Sequence, residues 1–295
     1  KVKRNSSPGR KLREPLIKDQ DFERLVALRA RWHRSEHLGS DPLGLLDRTT
    51  PVEDLEVVSF LVAGLSYGRV EQIRKSSTEL LRRLGEWSGS GAASGHGLAK
   101  HLRQSSESDF KALERQLRGW KHRFNTAADL SLLLRSLGRV LRDYGSLGRL
   151  YQNSREASPN SFLAIVAFCD SLREGESGDP VRRARAAVQR GRRWPGAGVA
   201  WFAPNPRDGG TCKRLMMWMR WMVRQDSIDL GLWGAHSPLL DPAKAKPHAG
   251  ELFFPVDTHI FQWARAKGVT SRKAPNWKVV EEITLASGRA APKIP

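Results

Sequence analysis

Along most of this chain apolar side chains recur every three or four positions, and no series of segments alternates apolar with polar as half-buried strands do. That period sets the class as all-α. Its extreme case is LEVVSFLVAGLSYG, residues 55–68. This stretch is apolar nearly all round, which calls for a helix buried on most sides. Thr50 or a neighbour can cap it, and Pro51 suits a first-turn position. Glu53, Asp54 and Glu56 favour the positive end of the helix dipole.

The same period predicts an amphipathic helix over 21–34 carrying Phe22, Leu25, Val26, Leu28 and Ala30. Further helices are expected over 70–87, 110–118, 127–144, 161–172 and 212–224. Pro42, Gly44 and Pro51 break the chain before the buried helix, and SGSGAASGHG (88–97) reads as a glycine–serine loop. Residues 1–20 read as a basic, mobile arm. Residues 174–198 form an arginine- and glycine-rich connector with one short helix around Val181 to Gln189. A long loop covers about 225–253, and after Thr284 periodicity is lost.

Charge narrows the function classes. The chain of 295 residues has 50 Lys and Arg against 31 Asp and Glu, a net charge of +19, so a polyanion is the first partner to consider. Ten Trp and ten Phe argue against wholesale disorder. Cys169 and Cys212, the only cysteines, exclude a four-cysteine zinc or iron–sulfur site and a disulfide scaffold. The longest apolar run, around Phe162 to Cys169, is far short of the roughly 20 residues of a membrane helix. No secretory h-region follows Lys1, and a first residue other than methionine leaves room for residues ahead of it. The expected compartment is the cytoplasm, with the nucleoid as the site of action.

Two segments could carry chemistry. In GGTCKRLMMWMRWMVR (209–224) two glycines lead into a helix with Lys213 in its first turn. Leu215, Met216, Met219 and Met222 make the buried stripe, with Trp218 and Trp221 beside it. A free lysine, with a pKa of about 10.4, is neutral in about one molecule in 2,500 at pH 7; desolvation beside such a stripe raises that fraction. The plainer reading is a lysine that snorkels from a basic helix. In PVDTHIFQWARAKGV (255–269) Pro255 sets a helix start and Asp257 lies at its N-terminus, flanked by Thr258 and His259. The plainer reading of Asp257 is an N-cap. The histidines lack metal spacing, and no metal or cofactor is expected.

Together the two segments resemble the helix–hairpin–helix DNA glycosylases of the endonuclease III type. There a lysine follows a glycine hairpin and an aspartate sits in a V-D-T-H-I/V-F/A segment, intact here as Val256 to Phe261. FLVAGLSYGRVEQI (60–73) resembles the family's L-x-x-x-L-L-S-x-Q-x-x-D, and NWKVVEEIT (276–284) its following helix. DPL (41–43), HRFNTAADL (122–130), DYGSL (143–147), CKRLMMWMRWMVR (212–224) and DLGLW (229–233) extend the likeness to a bacterial family related to these enzymes and to the archaeal 8-oxoguanine glycosylases. The likeness spans about 40–284.

The resemblance implies a two-lobed helical fold with a central cleft. Lobe one would be about 70–224, and lobe two about 21–69 plus 225–295. It implies a monomer that binds double-stranded DNA with a damaged base, oxidised guanine foremost, and acts as a bifunctional glycosylase/AP lyase. Lys213 would attack C1′ to form a Schiff base, and Asp257 would stabilise the positive charge on the sugar. Gly209, Gly210 and Thr211 would meet phosphate, although Thr211 stands where the hairpin has its second glycine. Gly68 stands where the family has the glutamine that plugs the gap left by the extruded base, so Tyr67 or Arg69 would serve. Arg220 and Arg224, at i, i+4 on the lysine helix, are candidate phosphate contacts. Trp218, Trp221, Trp233 and Trp263 are candidate stacking partners for the base, and His259 a hydrogen-bonding neighbour of the site. The spacing from Lys213 to Asp257 is longer than in endonuclease III. SGRAAPKIP stands where a last helix is expected after Thr284, as a truncated or frame-shifted gene would leave it. Two other classes compete: a non-catalytic helix–hairpin–helix DNA-binding protein, and an RNA-binding or nucleoid protein driven by charge alone. Neither needs both Lys213 and Asp257.

Overall fold

A computed structural model describes residues 17–90, 95–174 and 198–290. Eleven helices are seen among them. In order they are α1 (Asp19–Trp32), α2 (Val52–Leu65), α3 (Val70–Trp87), α4 (Leu98–Gln104), α5 (Glu107–Gln116), α6 (Ala127–Tyr144), α7 (Leu147–Glu156) and α8 (Ser161–Leu172). Then come α9 (Lys213–Val223), α10 (Thr258–Ala266) and α11 (Trp277–Ala290). The strands are a two-residue antiparallel pair, β1 (Lys121–His122) and β2 (Asn125–Thr126). The class is all-α, and no described helix is long and apolar enough to cross a membrane.

Helix α2 lies at the centre, as its composition requires. Every residue from Asp54 to Leu65 is buried, and α2 packs against α3, α4 and α9. Two of its acidic residues, Asp54 and Glu56, serve neighbouring helices. Asp54 accepts the backbone N–H groups of Gly97 and Ala99 at the start of α4, at 2.7 and 2.8 Å. Glu56, fully buried, accepts those of Leu147 and Gly148 at the start of α7, both at 2.9 Å, and the Trp233 indole at 2.7 Å. Each carboxylate meets unpaired N–H groups at a positive helix end and so fixes the position of a second helix against α2. One apolar cluster runs from Ile17 to Ala286 and takes residues from both expected lobes.

Two expectations change. The arm expected over 1–20 stops earlier, because Ile17 is buried and α1 begins at Asp19. Residues 1–16 lie outside the described residues, as does the helix expected around Val181 to Gln189. The chain keeps its helix beyond Thr284: α11 runs on to Ala290, with Ile283 and Ala286 buried, and residues 291–295 lie outside the described set. Thr284 also accepts the Phe254 N–H at 2.9 Å through its hydroxyl, which ties α11 to the loop before α10. Tertiary docking therefore holds a helix that local propensity alone does not announce.

Candidate active site

Lys213 is the first residue of α9. The chain reaches it through an exposed turn in which Gly209 has φ +81° and Cys212, the residue before the helix, has φ +50°. A non-glycine residue in that left-handed region is uncommon and needs its surroundings to hold it. Cys212 is buried, and the Gly209 carbonyl accepts the Trp277 N–H at 3.1 Å, so α11 braces the turn. Arg214, next along, is buried between two rings, 4.7 Å from the Tyr67 centroid and 5.1 Å from that of Trp201. It donates to the carbonyls of Gly64, the C-terminal turn of α2, and Trp201. Burial pulls its pKa down to about 10, still well above neutrality. Leu215, Met216, Met219 and Met222 form the buried stripe expected of α9.

Asp257 caps α10. Its Oδ1 accepts the Ile260 N–H at 2.9 Å, and its second oxygen accepts no hydrogen bond among the described residues. Val256 before it and Ala264 after it are fully buried, which anchors the segment.

Lys213 and Asp257 line one cleft of about 640 Å³, with Thr211, Tyr67, Gly68 and His259. The Lys213 ammonium contacts the Met217 sulfur at 3.6 Å, and no carboxylate lies within ion-pairing distance of it among the described residues. Burial lowers its pKa most; Asp257 and then Asp41 pull it back up, and Arg214 and Arg220 push it down. An amine that is partly desolvated and not locked into an ion pair is suited to nucleophilic work. The neighbouring Cys212 is not, because burial raises its thiol to about 12.

Asp41 is a carboxylate that the sequence reading passed over, although it opens the DPL segment. It lines the same cleft and caps the short 3-10 turn Pro42–Leu45 by accepting the Leu43 N–H at 2.8 Å. A second, smaller cavity of about 270 Å³ lies against the other side of this group and shares Asp41, Lys213 and Met217 with the cleft.

Residues 41–295 match a family described as a protein of unknown function, DUF2400. The chain belongs to the DUF2400 family. Searches of curated proteins and of solved structures returned no match.

Some other expected residues of this DUF2400 protein fall elsewhere. Trp218 lines neither cavity; it is fully buried, donates to the Ser59 hydroxyl at 3.0 Å and packs edge-on against Phe60 and Trp233. Trp233 is likewise in the core, held by Glu56. Trp221 is nearly fully buried and touches the smaller cavity. Arg220 and Arg224 are paired with carboxylates: Arg220 with Asp229 at 3.0 Å, Arg224 with Asp226 at 2.7 Å and Asp229 at 3.6 Å. The Asp229 side chain is fully buried, so these arginines neutralise an internal charge and are not spare for phosphate. Tyr67 lines the cleft, its hydroxyl bonded to the His122 carbonyl at 2.9 Å and to Asn125 at 2.7 Å. Arg69, Gly209 and Gly210 are exposed, and Arg69 has no ion pair among the described residues. Among the described residues no group of three His, Cys, Asp or Glu side chains is placed to hold a metal ion.

Proposed function

We propose that this protein is a DNA base-excision glycosylase with AP lyase activity, built on the two-lobed helix–hairpin–helix glycosylase fold. It removes a damaged base, oxidised guanine foremost, from double-stranded DNA. One observation carries the reading: Lys213 and Asp257, 44 positions apart (257 − 213), start two different helices and line one cleft. Nothing in a purely structural role requires that convergence.

The chemistry follows from the pair. The target nucleotide leaves the stack, since a base inside a duplex is out of reach. The neutral Lys213 amine attacks C1′; the C1′–N bond breaks, and its electron pair leaves with the base. Positive charge that develops on the sugar is met by the Asp257 carboxylate, whose second oxygen is uncommitted. The nitrogen loses its protons as the C1′–O bond breaks, the ring oxygen takes up a proton and the Schiff base forms; loss of a C2′ proton then drives β-elimination, in which the C3′–O bond breaks and the phosphate leaves with the electron pair. The cleft of about 640 Å³ that both residues line offers the sugar room. A positive surface, to which the exposed Arg69 contributes, holds the phosphates.

The test is base release and strand incision on duplexes carrying single lesions. Lys213→Ala is expected to abolish incision and leave DNA binding within a few-fold. Asp257→Asn is expected to slow base release by about 10²-fold or more, the usual worth of a well-placed charge. Unchanged release by either variant contradicts the reading and favours the non-catalytic DNA-binding protein.

A further inference from the structure

The family match begins at Asp41, yet much of the wall of the cavity beside Lys213 comes from residues ahead of it. Helix α1 ends in Trp32, and the 3-10 turn Ser35–Ser40 follows at once. Trp32, His33, His37 and Leu38 all line the 270 Å³ cavity, against Met217 and Trp221 of α9. The Trp32 and His37 rings lie 4.9 Å apart, tilted by 43°. Trp32 is 55% exposed, unusual for the largest apolar side chain, although the Arg31 guanidinium lies 5.1 Å from its ring centroid.

The chemistry of the walls limits the occupant. About 270 Å³ is at the small end of ligand pockets, which run from roughly 300 to 1,000 Å³, and suits one planar ring system rather than a chain. The Arg220 guanidinium faces the buried Asp229 at 3.0 Å, and the His33 ring faces Asp226 at 3.1 Å. Arg34, exposed, faces Glu36 at 3.8 Å and donates to the Ala30 carbonyl at 3.2 Å, so with Asp41 also at the wall an anion has no unpaired cationic partner there besides Lys213 itself. Aromatic and thioether surfaces with fixed polar groups at their edges fit an uncharged heteroaromatic ring.

We propose that residues 19–40 form the base-reading wall of this protein: the extruded nucleobase sits in this cavity, against Trp32 and His37, while its sugar stays at Lys213. The inference rests on the glycosylase reading and adds to it a specificity-determining segment outside the family match. Helix α1 packs Phe22 and Leu25 against the core from outside and leaves Trp32, at its end, on the cavity. Asp21 is its one buried residue, and it is fastened by Lys267 to Asp21 at 2.6 Å and by the His33–Asp226 contact.

The experiment uses two kinds of duplex under borohydride: a panel with single oxidised purines or pyrimidines, 8-oxoguanine first, and one with a preformed abasic site, which has no base to seat. Trp32→Ala and His37→Ala are compared with wild type and with Leu28→Ala, an exposed α1 position away from the cavity. Removal of a base–aromatic stack is expected to cut base release by about 5- to 100-fold. Trapping on the abasic duplex is expected to fall far less, and Leu28→Ala to match wild type on both. Equal loss on both duplexes, or wild-type release by both variants, overturns the inference. So does a wild type that traps the abasic duplex and releases no base of the panel. A wild type that traps neither contradicts the Lys213 chemistry itself.

Discussion

In the proposed mechanism Lys213 acts as a nucleophile only to the extent that it is neutral, and its surroundings set that extent in opposite directions. Burial favours the neutral amine, whereas Asp257 and Asp41 favour the ammonium. The net shift is downward, so the rate of Schiff-base formation is expected to rise with pH and level off below 10.5, the ordinary lysine value. Asp41→Asn removes one of the two carboxylates that hold the ammonium in place, and asparagine can still accept the Leu43 N–H. The variant's rise is therefore expected at lower pH than that of wild type, in single-turnover trapping across a pH series. An unmoved profile, or one displaced upward, contradicts the role given to Asp41. No local pattern announces this residue as a partner of Lys213: 172 positions (213 − 41) separate them, and their meeting is tertiary. Trp32 and His37 were hidden for the same reason. Lys213 and Asp257 were legible because each combines a chemically apt side chain with a helix start that glycine, proline and capping rules mark locally.

Helices in this fold are held by one another's ends. Glu56 of α2 collects three N–H donors from α7 and Trp233, yet burial still raises its pKa from 4.5 to about 7. A carboxyl whose folded pKa is raised favours folding below its unfolded value, and that contribution is lost as pH rises through the folded one. The shift is of the order of 3 kcal/mol, lost progressively between about pH 4.5 and pH 7 and above. Glu56→Gln is expected to lower stability overall, by about 1–3 kcal/mol, because the amide sets a donor against an N–H. It is also expected to flatten the fall in stability between pH 5 and 8, read from denaturant melts at each pH. Parallel curves for variant and wild type contradict that assignment. The burial of α2 could be read from the sequence, since LEVVSFLVAGL has no polar stripe. The destination of its acids could not, because a first-turn carboxylate looks the same whether it serves its own helix or the next. The persistence of α11 past Thr284 was equally hidden: Ser287 and Gly288 are weak formers, and what holds the helix is the burial of Ile283 and Ala286.

Over the whole molecule, the proposed function together with a net charge of +19 predicts salt-sensitive binding to duplex DNA, with a log–log slope of about −0.9 per phosphate neutralised. Arg69→Ala is expected to reduce that slope by about one unit. Arg220→Ala is expected to leave the slope nearly unchanged and to lower Tm instead, because it strands Asp229 in the interior. A slope that falls equally in both contradicts the division between surface and internal arginines. Charge alone, however, does not separate an enzyme from a binding protein; the proposed enzyme reading rests on the convergence of Lys213 and Asp257 on one cleft. The most direct measurement is peptide mapping, by mass spectrometry, of the adduct formed with an abasic duplex under borohydride. The account predicts one modified peptide, carrying the reduced sugar on Lys213. Modification at another lysine, or scattered over the basic surface, would contradict it.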